Sequence, residues 1–123
     1  MRTLNLTIKK NFFDMILSGE KKEEYREIKF YWVKRLVDKE IWHGIEHFNR
    51  WRKNPPEHVT LNHVVNEFDF VKLTNGYSKN SPSLTTEWKG ISIGKAKPEW
   101  SDNWQGDVFV IKLGNIIETK NIK

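Results

Sequence analysis

The period of the hydrophobic pattern changes along this chain, and that change limits the folds open to it. The first segment alternates apolar and polar side chains, which places Leu4, Leu6 and Ile8 on one face of a half-buried strand. Apolar residues then recur at helical spacing from Phe12 until Gly19 ends the segment. A strand followed at once by a short helix predicts a fold that mixes both kinds of element.

The rest of the chain continues this mixture. A charged segment at 22–28 lies between helical patterns and is predicted to be a strand, and helices are predicted at 30–38 and 41–51. The C-terminal half is mostly extended, with strands predicted at 68–73, 84–93, 107–113 and 116–119. This order predicts one α+β domain over residues 1–123, in which helices pack on a curled, mostly antiparallel sheet.

Composition narrows the function classes. The chain has no cysteine, which excludes disulfides and thiol catalysis and fits a reducing compartment, so we expect a cytoplasmic protein. Its apolar runs are far shorter than a bilayer span, so we expect no membrane association. The formal charge of +5 favours polyanionic partners, although a modest excess of lysine is also common on solvated surfaces.

One pattern imitates a metal site. The segment His43-Gly44-Ile45-Glu46-His47 places two histidines four residues apart, the zinc-ligand spacing of one class of metalloproteases. Its glycine weakens a helix, no third ligand is positioned, and those proteases are far larger than this chain. We therefore interpret the segment as a solvated helix face and predict no metal and no cofactor.

The charged segment carries a recognisable motif. Gly19-Glu20-Lys21-Lys22-Glu23-Glu24-Tyr25-Arg26 fits the pattern G-x-K-x-x-E-x-R, which resembles the ASCH domain family of PUA-like β-barrels. Its context is also similar to that family, with a strand, a short helix that ends in the motif glycine, and then the charged strand. Later segments at 73–77, 90–94 and 109–114 are similar to small phage- and prophage-type members. The resemblance excludes residues 40–65, which we interpret as a helical insertion.

The resemblance implies a PUA-like β-barrel with a cleft between barrel and helices, lined by Lys21, Glu24 and Arg26. Family members are proposed to bind RNA, and one branch hydrolyses the acetyl amide of N4-acetylcytidine with the motif lysine, here Lys21, as a catalytic residue. That branch has a threonine where this chain has Glu24. We therefore expect an RNA- or nucleotide-binding domain. The alternative is a small amidohydrolase or ribonuclease that uses Lys21 and Glu24.

Strand geometry supports a shared site for the three charged residues. Glu24 and Arg26 lie two apart and so share a face, and Lys21 can lean into the same space. Lys21 and Arg26 can hold a phosphate or a base edge, while Glu24 can accept from a base amino group or act as general base. The opposing interpretation is a solvated edge strand. In the cleft interpretation, Lys21→Ala abolishes ligand binding and barely changes stability.

Aromatic and turn residues complete the predicted ligand site. Tyr25, Tyr77 and Trp100 can stack on bases, as aromatic side chains do in proteins that bind single strands. Asn75 can donate a hydrogen bond to the ligand, or it can take the left-handed conformation of the Asn75-Gly76 turn.

A third hypothesis places function elsewhere. The helical pattern within 41–53 carries Trp42, Phe48 and Trp51, which could dock a protein partner. This hypothesis predicts sensitivity to substitution at Trp51 and indifference at Lys21, the reverse of the ligand-site hypotheses.

Overall fold

The elements of regular structure follow the changes of period in the sequence. The computed structural model describes residues 1–37, 45–53, 65–102 and 104–122. Its helices and strands, in chain order, are β1 (Thr3–Thr7), α1 (Lys10–Leu17), β2 (Glu23–Glu27), α2 (Phe30–Leu36), α3 (Ile45–Lys53), β3 (Phe70–Thr74), β4 (Ser83–Gly94) and β5 (Val108–Lys120). A 3-10 turn, Pro98–Trp100, lies in the loop between β4 and β5. The two strands predicted at 107–113 and 116–119 are one continuous strand, β5.

The strands form a five-stranded sheet in the order β1-β3-β4-β5-β2. β1 runs parallel to β3, and all other neighbours in the sheet are antiparallel. The sheet curls until its two edge strands approach each other, and Arg26 Nη2 of β2 lies 3.1 Å from the Thr7 carbonyl oxygen of β1. The prediction of an α+β fold with a curled, mostly antiparallel sheet is confirmed. The curl gives half a barrel, because β1 and β2 do not pair as strands within the described ranges.

Alternation along the strands sorts side chains onto two faces of the sheet. One face carries the main core, in which Leu4 and Leu6 of β1 are buried together with Phe109 and Ile111 of β5. Helices α1 and α2 cover this face. The other face of β2 and β5 carries a second cluster around Tyr25, and the partly buried Ala96, Trp100 and Trp104 of the β4–β5 loop pack against it. The part of the sheet nearest the motif is therefore covered on both sides.

The predicted insertion is described in part. Within 40–65 the structure describes helix α3, whose Phe48 is 2% exposed and lies 5.8 Å from the Phe109 ring, centroid to centroid. Phe48 therefore belongs to the core, so its proposed role in docking a protein partner is wrong. Trp42, the His43–Gly44 start of the histidine pattern and the Trp51 side chain lie outside the described residues. None of the helices described is long and apolar enough to span a bilayer.

Candidate functional site

A cavity of about 420 Å³ lies where the two edge strands meet. We call it the seam pocket. Asn5 and Thr7 of β1 line one side of it, and Glu24, Tyr25 and Arg26 of β2 line the other. Helix α2 and the β4–β5 loop complete the wall with Tyr31, Trp32, Arg35, Trp100 and Trp104. The gap in the half barrel is thus the opening to this pocket.

The motif glycine directs Lys21 beneath the pocket. Helix α1 ends at Leu17, and Gly19 takes a φ of 87°, a left-handed conformation that glycine adopts without strain. The chain then reverses, so that the Lys21 N–H donates to the Met15 carbonyl oxygen at 3.0 Å. The side chain of Lys21 is turned inward and is 0% exposed. The alternative interpretation, in which Lys21 is a solvated charge on an edge strand, is therefore wrong for this residue.

Lys21 and Glu24 form a buried ion pair. Lys21 Nζ lies 3.2 Å from Glu24 Oε1, and the Glu24 side chain is 6% exposed. The same ammonium donates to the Trp100 carbonyl oxygen and lies 4.3 Å from the centroid of the Phe12 ring. Each hydrogen bond offsets part of the cost of removing the two charges from water.

The environment of Lys21 lowers its pKa below the ordinary value of 10.5. Burial is the largest cause, because it disfavours the charged amine, and the positive charge of Arg26 acts in the same direction. Glu24 opposes both through its charge and its hydrogen bond. Opposing influences therefore act on the pKa of Lys21, and burial outweighs the carboxylate.

This lowered pKa predicts a pH dependence of stability. Between the folded pKa of Lys21 and 10.5, the unfolded chain binds more protons than the folded one, so stability rises with pH across that interval. The reference is Lys21→Met/Glu24→Gln, which lacks both charges. We expect urea denaturation to show that the free energy of unfolding of wild type, minus that of this variant, rises across the interval by at most about 1.4 kcal/mol per pH unit. A constant difference up to pH 10.5 would contradict the lowered pKa.

Arg26 extends the ion pair toward the seam. Its Nη1 donates to the Tyr25 carbonyl oxygen at 2.7 Å and lies 3.6 Å from Glu24 Oε1. Its Nη2 donates to the Thr7 carbonyl oxygen across the gap. Glu24 and Arg26 do share one face of β2, as their spacing predicted. The structure therefore brings Lys21, Glu24 and Arg26 together, with Glu24 between the two cations.

Tyr25 lies on the other face of β2. Its hydroxyl donates to Glu23 Oε1 at 2.7 Å and accepts from the Lys97 N–H at 3.2 Å. Burial raises the pKa of the Tyr25 phenol, and Glu23 adds to the effect by accepting its proton in a hydrogen bond. The ring is 1% exposed. Tyr25 thus anchors the β4–β5 loop and contributes little surface for stacking.

The other predicted ligand residues divide into two groups. Tyr77 and Trp100 line the seam pocket, Tyr77 as a rim residue that is 93% exposed and Trp100 as a half-buried side chain. Asn75 lies outside this pocket, where its Nδ2 donates to the Ile8 carbonyl oxygen at 3.0 Å. The left-handed position of the turn belongs to Gly76, with a φ of 120°, and not to Asn75. Asn75 therefore joins β1 to the β3–β4 turn.

Trp32 and Arg35 are two of the pocket residues that were missed from the sequence. Trp32 and Arg35 lie three apart on α2 and share a helix face that points at the pocket. The Cζ atoms of Arg26 and Arg35 lie 5.1 and 5.0 Å from the centroid of the Trp32 indole. The i, i+3 spacing was visible in the sequence, but nothing local indicated that this face meets the motif strand.

The lining of the site carries two guanidinium groups, the buried Glu24 carboxylate, an exposed Lys9–Asp102 ion pair and several aromatic walls. Its chemistry is suited to holding a polar, flat ligand and offers a buried lysine–glutamate pair next to that ligand. Comparisons with family models, curated proteins and solved structures gave no match to this chain.

Proposed function

We propose that the seam pocket binds RNA or a nucleotide-like ligand. The observation that carries this proposal is the state of the Glu24 carboxylate. The hydrogen bonds that described residues donate to it, from Lys21 Nζ and the Tyr25 N–H, fall on Oε1. Glu24 also lines the pocket, so Oε2 is the oxygen available to a ligand. A carboxylate oxygen in this position can accept from the exocyclic amino group of a base.

The size and walls of the pocket support the same ligand class. A volume of about 420 Å³ falls within the range of small-molecule sites. Trp32, Trp100 and Trp104 supply aromatic surface, and single-stranded RNA is held largely by stacking of its bases on such surfaces. A stacking wall, an acceptor for a base edge and nearby guanidinium groups are the features that recognition of one unpaired nucleotide requires.

We also propose that the chain is an ASCH domain with a PUA-like fold. Its motif residues Lys21, Glu24 and Arg26 converge at one concave site, and the half barrel with helices on one face fits that architecture. On this proposal the threonine of the hydrolytic branch is replaced by Glu24, the residue that faces the ligand here.

Tyr77→Ala tests the proposal without disturbing the fold. Because Tyr77 is 93% exposed, we expect the free energy of unfolding of the variant to lie within about 0.5 kcal/mol of the wild-type value. Loss of one stacking surface at the rim is expected to weaken binding of a single-stranded RNA by about 1–3 kcal/mol. Fluorescence anisotropy with a labelled oligonucleotide measures this difference. Asn80→Ala, an exposed neighbour outside the seam pocket, is the control. Failure of wild type to bind both a single-stranded RNA and the nucleoside 5′-monophosphates would refute the proposed function.

A second candidate function is hydrolysis of a modified nucleoside. The observation that favours it is the buried Lys21–Glu24 pair, in which Glu24 could act as general base on water while Lys21 holds a positive charge beside it. Incubation with N4-acetylcytidine separates the two functions. Release of cytidine and acetate that is lost in Glu24→Gln supports hydrolysis, and intact N4-acetylcytidine leaves the pocket a binding site.

A further inference from the structure

The seam pocket presents charges of opposite sign at different places, and their arrangement limits which ligand it can bind. Contacts link four side chains along its wall: Arg26 lies beside Glu24, and the guanidinium groups of Arg26 and Arg35 both lie about 5 Å from the centroid of the Trp32 ring. Lys9 and Asp102, which also line the pocket, pair with each other, so Glu24 and Arg35 are the ends of this chain of contacts and carry opposite charges. A ligand that fills the pocket must match an acceptor at one end and a cation at the other.

The cationic end is built on the unpaired edge of β1. In the described part of the sheet, β1 pairs with β3 alone, which leaves carbonyl groups on its outer edge without a strand partner. Arg35 Nη2 donates to the Asn5 carbonyl oxygen at 3.2 Å, and Arg26 Nη2 donates to the Thr7 carbonyl oxygen at 3.1 Å. Alternate residues of a strand are about 6.5 Å apart, so the two guanidinium groups are held side by side along this edge.

Within the described ranges, the charge of Arg35 is not balanced by a carboxylate. Among the residues the structure describes, no carboxylate lies within ion-pairing distance of Arg35, whereas Arg26 has Glu24 at 3.6 Å. The Arg35 guanidinium donates to the Asn5 carbonyl oxygen and, at 3.4 Å, to the Tyr31 hydroxyl, and it lies over the Trp32 ring; the remaining N–H donors of its five are not used by these contacts. A positioned, half-buried guanidinium with free donors is the group that binds phosphate most effectively.

We infer that the ligand of the seam pocket is a nucleoside phosphate, held with its base toward Glu24 and its phosphate between Arg26 and Arg35. This inference rests on the proposed function and adds to it a required anionic group and a direction. Glu24 repels a phosphate from its own end of the pocket, so both charges orient the ligand the same way. The carbonyl groups that hold the two guanidinium groups are about 6.5 Å apart, and at that spacing one phosphate can accept hydrogen bonds of about 2.8 Å from both.

The test compares each of the four ribonucleosides with its 5′-monophosphate by isothermal titration calorimetry on the full chain. We expect the phosphate to tighten binding about 10- to 100-fold, the range for hydrogen bonds to charged groups. In Arg35→Ala, we expect the ratio of nucleotide affinity to nucleoside affinity to fall most of the way to one. Lys34→Ala removes the same charge from an exposed position of α2 outside the pocket and should leave the ratio unchanged.

A further variant and a further ligand distinguish the possible outcomes of this experiment. Arg35→Lys retains the charge without the planar fork, so a reduced ratio in this variant supports the inference even if Arg35→Ala does not fold. A trinucleotide that binds more tightly than the monophosphate identifies an RNA strand as the source of the phosphate, and equal affinity identifies a free nucleotide. Equal affinity for nucleoside and nucleotide overturns the inference and leaves the proposed function standing. Binding of neither overturns both.

Discussion

Lys21→Met is expected to lower the free energy of unfolding by about 3–5 kcal/mol, the range for breaking a buried ion pair by removing one partner. The variant leaves Glu24 buried without its counter-charge and leaves the Trp100 carbonyl oxygen without the ammonium that bonds it. Urea denaturation followed by tryptophan fluorescence measures the loss. This expectation replaces the one drawn from the sequence, in which Lys21→Ala barely changes stability, because the side chain is fully buried.

Two further variants show whether the loss comes from the ion pair. Lys22→Met removes a lysine from the next, exposed position and should change stability by less than about 0.5 kcal/mol. In Lys21→Met/Glu24→Gln no charge is left unpaired, so much of the lost stability should return. If Lys21→Met and Lys22→Met behave alike, the buried pair at the floor of the pocket is not formed.

Local pattern was sufficient to predict much of the fold. The alternation of Leu4 and Leu6, the stop at Gly19 and the position of the charged segment correctly predicted β1, α1 and β2. These predictions depend on residues within a few positions of one another, where backbone geometry and burial leave a direct mark on the sequence. The sharing of one face by Glu24 and Arg26 followed from the same period.

The burial of Lys21 could not be predicted in this way. Lys21 is buried because the β4–β5 loop covers it, and the Trp100 carbonyl that accepts its hydrogen bond lies 79 residues away. A run of charged residues gives no sign of such cover, so without the family resemblance the segment favours the solvated interpretation of Lys21. The same loop also uses Tyr25 as an anchor, which removed that ring from the surface.

The sequence did not show which residues line the pocket, for a related reason. Trp32 and Arg35 reach the motif because the sheet order places β1 and β2 at opposite edges and the curl brings those edges together. Strand order is a property of the whole chain, and a one-residue or one-strand change in pairing alters which side chains meet. The contribution of Arg35 and Trp32 to the site is therefore a product of topology, whereas Glu24 and Arg26 follow from the motif.

Glu24→Gln is expected to weaken binding of nucleotides that carry an exocyclic amino group by about 10- to 100-fold and to affect uridine nucleotides much less. In wild type the carboxylate accepts from the amino group and cannot donate to the carbonyl that uridine presents in its place. Because Lys21 Nζ and the Tyr25 N–H both donate to the Oε1 position, the glutamine oxygen is held there and its NH2 group faces the base, where it donates to uridine and not to cytidine; the preference for cytidine over uridine nucleotides should therefore narrow or reverse. Competition titrations with the two 5′-monophosphates measure both affinities in each protein.

Glu27→Gln is the matched control, since Glu27 is an exposed carboxylate at the end of the same strand, outside the pocket, and its loss changes the net charge equally. It should leave both affinities within twofold of wild type, about 0.4 kcal/mol. The substitution at Glu24 also removes the counter-charge of Lys21, so unfolding must be measured in parallel and the titrations run where both proteins are folded. A folded Glu24→Gln protein that keeps the wild-type preference would show that Oε2 does not contact the base. The ligand would then be held by its phosphate and by stacking, because Arg26, Arg35 and the aromatic walls are unchanged in that variant.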